Sequence, residues 1–200
     1  MVEPLEVTCL ILAGGAGSRL GGRDKGLLYW RTKPLVSLVA ERLNIEAGSV
    51  LVSCNRNVSR YQDLGFRTVT DKCETYRGPL AGIEAAKDVI QTQYLAVIAC
   101  DMPLIPNDLI DRLLRPFAQA DAPTPAITYA HDGVRAQYLC AIINSGCLAS
   151  VSQYLDSGQR AVKHWYGRHL HSVVDFSDQP DAFRNFNELD SFANDQSTTP

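Results

Sequence analysis

Residues 12–26 read LAGGAGSRLGGRDKG, and these fifteen positions hold six glycines together with Arg19, Arg23 and Lys25. Glycine lets a backbone come close to a ligand, its N–H groups point at anionic oxygens, and the basic side chains neutralise charge. That combination suits a polyanion such as a triphosphate. At an effective dielectric of 20, a cation about 4 Å from a phosphate charge interacts by roughly 4 kcal/mol before desolvation is counted. Two familiar phosphate loops do not fit the spacing. A G-x-G-x-x-G turn begun on Gly15 and Gly17 needs glycine where Leu20 stands, and G-x-x-x-x-G-K-[ST] laid on Gly17 and Gly22 meets Arg23 and Asp24. Glycine content alone also suits a flexible turn with solvated charges.

The remaining candidates follow from where the apolar runs end. VTCLILA (7–13) reads as a strand buried on both faces, SVLVSCN (49–55) and FRTVTD (66–71) as the next two, and YLAVIACD (94–101) as the most apolar of all. Pro34 opens a predicted helix with Leu35, Leu38, Val39 and Leu43 at helical spacing, a short polar helix separates the second and third strands, and Pro79 starts another helix to about Ile90. Strands alternating with helices imply right-handed crossovers and a three-layer, mainly parallel, Rossmann-like α/β sheet. PAITYAHD (125–132) and VRAQYLCAIIN (134–144) flank Gly133 as a hairpin, and HLHSVVDFS (169–177) adds a strand. The second half therefore carries a small antiparallel part. Ligands in such sheets collect beyond the C-terminal strand ends, which selects Ala13 to Lys25, Ser53 and Asn55, Asp71, and Asp101.

Here the residues resemble a known family. LAGGAGSRLGGRDKG is similar to the signature loop of the molybdenum cofactor guanylyltransferases (the MobA family), and GPLAG (78–82), CDMP (100–103), SGQRAV (157–162) and FRNFNELDSF (183–192) resemble further blocks in the same order. The resemblance spans nearly the whole chain. It implies a nucleotidyltransferase fold and transfer of GMP from GTP to the phosphate of molybdopterin, with release of pyrophosphate. It implies that Leu12, Ala13, Gly14 and Gly15 hold the nucleotide through their backbone, that Lys25 contacts the phosphates, and that Asp101 binds Mg2+ and the nucleotide. Arg19 joins Lys25 and Asp101 as a charge-stabilising group; Asp71 contacts the guanine nucleoside, and Gly78, Pro79 and Leu80 complete the GTP side. Gly82, Arg160, Asn185 and Asn187 are assigned to molybdopterin. One departure stands out: Ser53, Cys54 and Asn55 replace the N-A-N found in many members, so a hydroxyl replaces an asparagine contact to the nucleoside. Transient contacts with molybdenum-insertion proteins and acceptor molybdoenzymes are implied as well.

The chemistry is consistent with that assignment. Bringing one phosphate against another requires cations, an aspartate oxygen suits magnesium, and a phosphate nucleophile already ionised near neutral pH needs no general base. Transfer of CMP, action on a sugar phosphate, and GTP binding without catalysis stay open as rival readings. Composition bounds the rest. The chain has 200 residues, 46% hydrophobic and 20% charged, with a net charge of -3 that offers no broad basic face for nucleic acid. One domain over 1–193 is expected, residues 1–105 facing GTP and 106–193 facing molybdopterin, with a disordered tail at 194–200. No apolar run reaches membrane-spanning length and the start lacks an export signal, so a cytoplasmic protein with no membrane partner is expected. Six cysteines without a C-x-x-C pair suggest buried thiols, and His164, His169 and His171 suggest packing or surface roles, the last two on one strand face.

Overall fold

The computed structural model describes residues 7–15, 23–45, 49–73, 77–119 and 122–186. Arg19, Asn187 and the 194–200 tail lie outside them. Its frame is a seven-stranded sheet. In chain order the elements are β1 (Val7–Leu12), the two-residue strands β2 (Tyr29–Trp30) and β3 (Lys33–Pro34), helix α1 (Leu35–Arg42), β4 (Val50–Ser53), α2 (Val58–Asp63), β5 (Arg67–Val69), α3 (Pro79–Ala86) and β6 (Tyr94–Ala99). There follow α4 (Leu109–Leu114), β7 (Ile127–His131), β8 (Ala136–Asn144), α5 (Ala149–Asp156), α6 (Val162–Tyr166) and β9 (His171–Asp175). The sheet order is β5-β4-β1-β6-β8-β7-β9, and β2 pairs with β3 in a separate ribbon.

β1 runs parallel to both β4 and β6, β4 runs parallel to β5, and β7 runs parallel to β9. Only β8 is reversed, antiparallel to β6 on one side and to β7 on the other. The antiparallel part predicted for the second half is thus a single strand wedged into an otherwise parallel sheet. Asp132 closes its hairpin: one carboxylate oxygen accepts the Val134 and Arg135 amides at 2.8 and 2.7 Å, the other the Gln137 amide at 2.6 Å.

The double burial of the central strands sorts the helices into two outer layers. On one face Val7, Cys9 and Ile11 of β1 pack with Val36 and Val39 of α1, Tyr61 of α2 and Leu109 and Leu113 of α4. On the other, Leu10 and Leu51 pack with Leu80 and Ile83 of α3, Val151 and Tyr154 of α5 and Trp165 of α6. Every residue of β6 is buried, so its sequence shows no alternation. The cysteines are free thiols; Cys9, Cys54, Cys100 and Cys140 lie in the core.

Three expected boundaries shift. Pro34 ends β3 and sits just before α1 instead of inside its first turn, and α3 stops at Ala86, short of Ile90. His169 precedes β9 and does not share a strand face with His171. It packs edge-on against Trp165 at 5.1 Å with Nε2 3.2 Å from the Ser150 hydroxyl, whereas His171 stacks on Tyr129 at 5.7 Å. None of the described helices is long and apolar enough to cross a membrane.

Candidate active site

The parallel arrangement brings the C-terminal ends of β1, β4, β5 and β6 to one edge, and the hydrogen-bond ladder continues a residue beyond the strands. Ala13 N–H donates to the Ser53 carbonyl at 2.8 Å, Cys54 N–H to the Val69 carbonyl at 3.0 Å and Cys100 N–H to the Leu12 carbonyl at 3.1 Å. The loop that leaves β1 is therefore fixed at its root, with Ala13 buried, Gly14 half-buried and Gly15 exposed on the edge.

Lys25 and Asp101, 76 residues apart, meet across this edge: the Lys25 ammonium donates to Asp101 Oδ2 in a partly buried ion pair. The other Asp101 oxygen, Oδ1, is buried and has no hydrogen-bond partner among the described residues. An anionic oxygen withdrawn from water without a partner is costly, and a hard cation or a ligand donor would relieve that cost. The Asp101 carbonyl accepts the Phe186 amide at 2.8 Å, which brings the end of the described chain back to the site. Phe186 is locked there by tilted packing on Trp30 at 4.8 Å. Asn185 lies beside that anchor, its Oδ1 likewise buried without a partner among the described residues.

Asn55 and Asp71 form a reciprocal pair. The Asn55 amide donates to Asp71 Oδ2 at 2.8 Å, and its Oδ1 accepts the Asp71 backbone N–H at 2.9 Å. Burial raises the Asp71 carboxyl above the ordinary aspartate value, and the Asn55 hydrogen bond partly opposes that rise. A Cβ on Gly14 would stand 3.3 Å from the Asn55 amide nitrogen, so the doubled glycine and this pair face one another.

Ser53 is 2% exposed, and its hydroxyl is turned under α3: a Cβ on Gly82 would lie 2.5 Å from Ser53 Oγ and 2.8 Å from Leu12 Cδ2. Ser53 and Gly82 thus meet each other in the interior, where they set how closely α3 lies on the sheet. The sequence alone assigns Ser53 to the nucleoside and Gly82 to molybdopterin, because the crossing of α3 over β4 is a non-local fact. Gly78, with φ +78 and ψ -171, adopts backbone torsions that disfavour any side chain, and Pro79 and Leu80 follow as the first residues of α3. The Arg160 carbonyl is 3.9 Å from a Cβ built on Gly78, which brings SGQRAV to the same edge. The Arg160 guanidinium donates to the Leu155 and Gln159 carbonyls at 2.5 and 2.7 Å and caps the end of α5.

Other residues belong to this constellation although the sequence reading passed over them. The Arg56 guanidinium donates to the Gly15 carbonyl at 3.3 Å, tying the end of β4 to the glycine loop. Its place directly after Asn55, on the ligand edge, was the available signal. Asp24 accepts from the Tyr61 hydroxyl and, at 3.0 Å, from the Asn57 amide. Buried Glu84 in α3 faces Arg77 at 3.6 Å, and Arg77 also reaches Asp156 at 3.1 Å. Among the described residues no group of three or more His, Cys, Asp or Glu could hold a metal; a cation here would rest on Asp101 together with ligand oxygens and water.

The chain is similar to known proteins over most of its length. The model of the MobA-like NTP transferase domain matches residues 9–173. A molybdenum cofactor guanylyltransferase of Shewanella piezotolerans is 39% identical over 183 residues, which is 92% of this chain and 88% of that protein. Its counterpart in Shewanella halifaxensis is 39% identical over 182 residues, 91% of this chain and 90% of its own. In fold, the molybdopterin-guanine dinucleotide biosynthesis protein A of Archaeoglobus fulgidus is similar with a TM-score of 0.72 at 18% identity, covering 94% of this chain and 95% of that one. With the matched region spanning most of the sheet and the glycine loop, the chain belongs to the MobA-like NTP transferase family.

Proposed function

We propose that the chain is a molybdenum cofactor guanylyltransferase, which transfers GMP from GTP to the phosphate of molybdopterin and yields the guanine dinucleotide cofactor and pyrophosphate. The observation that carries the reading is the Lys25–Asp101 pair, which sets a cation and a half-satisfied carboxylate against each other beside the glycine loop. Relatives of that name, similar over nearly the full chain, support it.

The triphosphate lies over Gly14 and Gly15, meeting their backbone amides, while Leu12 and Ala13, whose backbone is held in the sheet ladder, form the root beneath it; Lys25 and Arg19 supply positive charge. The Asn55–Asp71 pair faces the guanosine: its carboxylate accepts from the base or ribose once Asn55 gives way or shares it. Gly78, Pro79 and Leu80 present the amide end of α3 to the phosphates. Gly82 acts from beneath by letting α3 approach. Arg160, Asn185 and Asn187 line the molybdopterin side.

Asp101 Oδ1 fits Mg2+, a hard cation that takes one or two carboxylates and otherwise phosphate oxygens and water. When bound, the ion neutralises charge on the triphosphate. In the reaction an oxygen of the molybdopterin phosphate attacks the α-phosphorus of GTP. The bond from that phosphorus to the bridging oxygen breaks, pyrophosphate leaves with its electron pair, and a new phosphoanhydride remains. The chain's own contribution is to hold both anions and to balance charge, as in phosphoryl transfer generally. The site carries out its work in the cytoplasm, exchanging molybdopterin and product with the proteins that insert molybdenum and use the cofactor.

The test is pyrophosphate release with GTP, Mg2+ and molybdopterin, run beside CTP. Release that needs both substrates and prefers GTP is the expected result. Release with CTP alone, or none with any nucleotide under conditions in which GTP binds, would overturn the assignment.

A further inference from the structure

We infer that Tyr61 and Asn57 of the α2 segment are positioning residues, which lock Asp24 in place and so aim Lys25 at the phosphate site. The inference rests on the GTP reading above and adds residues that touch neither substrate.

Both Asp24 carboxylate oxygens are occupied by α2 and the residue that caps it: Oδ1 accepts the Tyr61 hydroxyl, and Oδ2 accepts the Asn57 amide at 3.0 Å. The donors are themselves rigid. Tyr61 is fully buried in the core against the sheet, and burial, followed by the Asp24 hydrogen bond, pushes its phenol well up so that it stays a donor. Asn57 holds a left-handed backbone with φ +52 directly before α2. On the far side of Lys25 the same hydroxyl acts again. A Cβ on Gly26 would lie 2.5 Å from Tyr61 Oη and 3.2 Å from Ala13 Cβ, so the chain there is pressed between α2 and the root of the glycine loop. The turn is closed by Leu27 N–H to the Asp24 carbonyl at 3.2 Å and Leu28 N–H to the Lys25 carbonyl at 3.1 Å.

Residues 24 and 26 are therefore fixed by one tyrosine, and Lys25 between them has a fixed backbone from which its side chain reaches Asp101. A lysine on a mobile loop loses much side-chain freedom when it meets a phosphate, and one on a fixed backbone loses less. Removing the hydroxyl leaves the ring in the core but releases one of the two Asp24 oxygens, and so loosens the lysine's origin.

GTP titrations with Mg2+ on the full chain test this in a double-mutant cycle. Tyr61→Phe should weaken GTP binding about fivefold to tenfold, a part of the worth of one hydrogen bond to a charged group, because the Asn57 amide still holds the other Asp24 oxygen. Asn57→Gly, which keeps the left-handed backbone and removes the amide, should weaken it about twofold to fivefold. In a Lys25→Ala background neither change should weaken binding further, because both act through the lysine. Unchanged affinity in Tyr61→Phe overturns the inference, and so does the same fold-loss with and without Lys25, which is what a purely structural residue would give. If the parent chain fails to bind GTP, the nucleotide reading itself falls and the inference with it; if the parent binds and Lys25→Ala binds equally well, only the inference falls.

Discussion

Gly82→Ala tests the most crowded contact in the site. The added methyl would sit 2.5 Å from Ser53 Oγ, 2.8 Å from Leu12 Cδ2 and 3.0 Å from Ser53 Cβ, against ordinary contacts of 3.4–4 Å. The serine hydroxyl can rotate away and the Leu12 methyl can swing, but Ser53 Cβ is fixed to β4, so α3 must rise by a few tenths of an ångström. Overpacking of a close-packed interior costs about 1–3 kcal/mol, and we place this case near 2 kcal/mol because three atoms are crowded at once and one of them, Ser53 Cβ, cannot yield. For a chain of this size that lowers Tm by about 4–8 °C. The lifted helix also carries Gly78, Pro79 and Leu80 away from the edge, so GTP affinity should fall together with stability. Thermal unfolding and GTP titration of Gly82→Ala, with and without Ser53→Ala, measure both. Ser53→Ala removes the nearest atom and should restore part of the loss, not all, since Ser53 Cβ and Leu12 remain. A Tm within about 1 °C of the parent would refute the packing argument, as would a Ser53→Ala background that changes nothing.

Asp101→Ala should lower turnover about 100-fold or more, as the loss of a main charge-organising group does, and steady-state rates within twofold of the parent would remove Asp101 from the site. At Asp71 burial raises the folded carboxyl above its unfolded value, so between those values the folded chain holds the extra proton and stability falls as pH rises. Asp71→Asn should erase that fall, seen as a difference in Tm that grows from about pH 3.9 upward. Asp178 shows the opposite sign: two hydrogen bonds from Arg112, each 2.9 Å, hold its carboxyl down at about 2. Its contribution is present above the ordinary aspartate range and lost as pH falls towards 2, so Asp178→Asn should flatten the acid limb of a fluorescence-monitored unfolding curve.

What the sequence made legible was whatever depends on short spacing. YLAVIA in β6 reads as a strand because both its faces are buried, and Asp101 was then marked by position alone, two residues past its end. The glycine loop and Lys25 were legible for the same reason. What depends on which element crosses which was not. Ser53 faces Gly82 because α3 lies over β4, the Asn55–Asp71 pair needs β4 and β5 as neighbours, and nothing in the short polar helix singles out Tyr61, whose role depends on α2 lying beside Asp24. The hairpin around Gly133 was visible, with its strands found at Ile127–His131 and Ala136–Asn144. Its insertion beside β6 was not, because no local pattern encodes sheet order.

The reversed strand β8 bears on how the chain is made. Ile98 of β6 pairs with Cys140, which is synthesised 42 residues later. At about 5–20 residues per second the nascent chain spends roughly 2–8 s with one flank of its most apolar strand uncovered on the ribosome. β1 can dock on the other flank at once, since it has already emerged. The half of the molecule that carries Lys25 and Asp101 can thus pair its parallel strands before its edge is sealed, and during those seconds it offers a neighbouring polypeptide the same ladder of amides and carbonyls that β8 will later occupy.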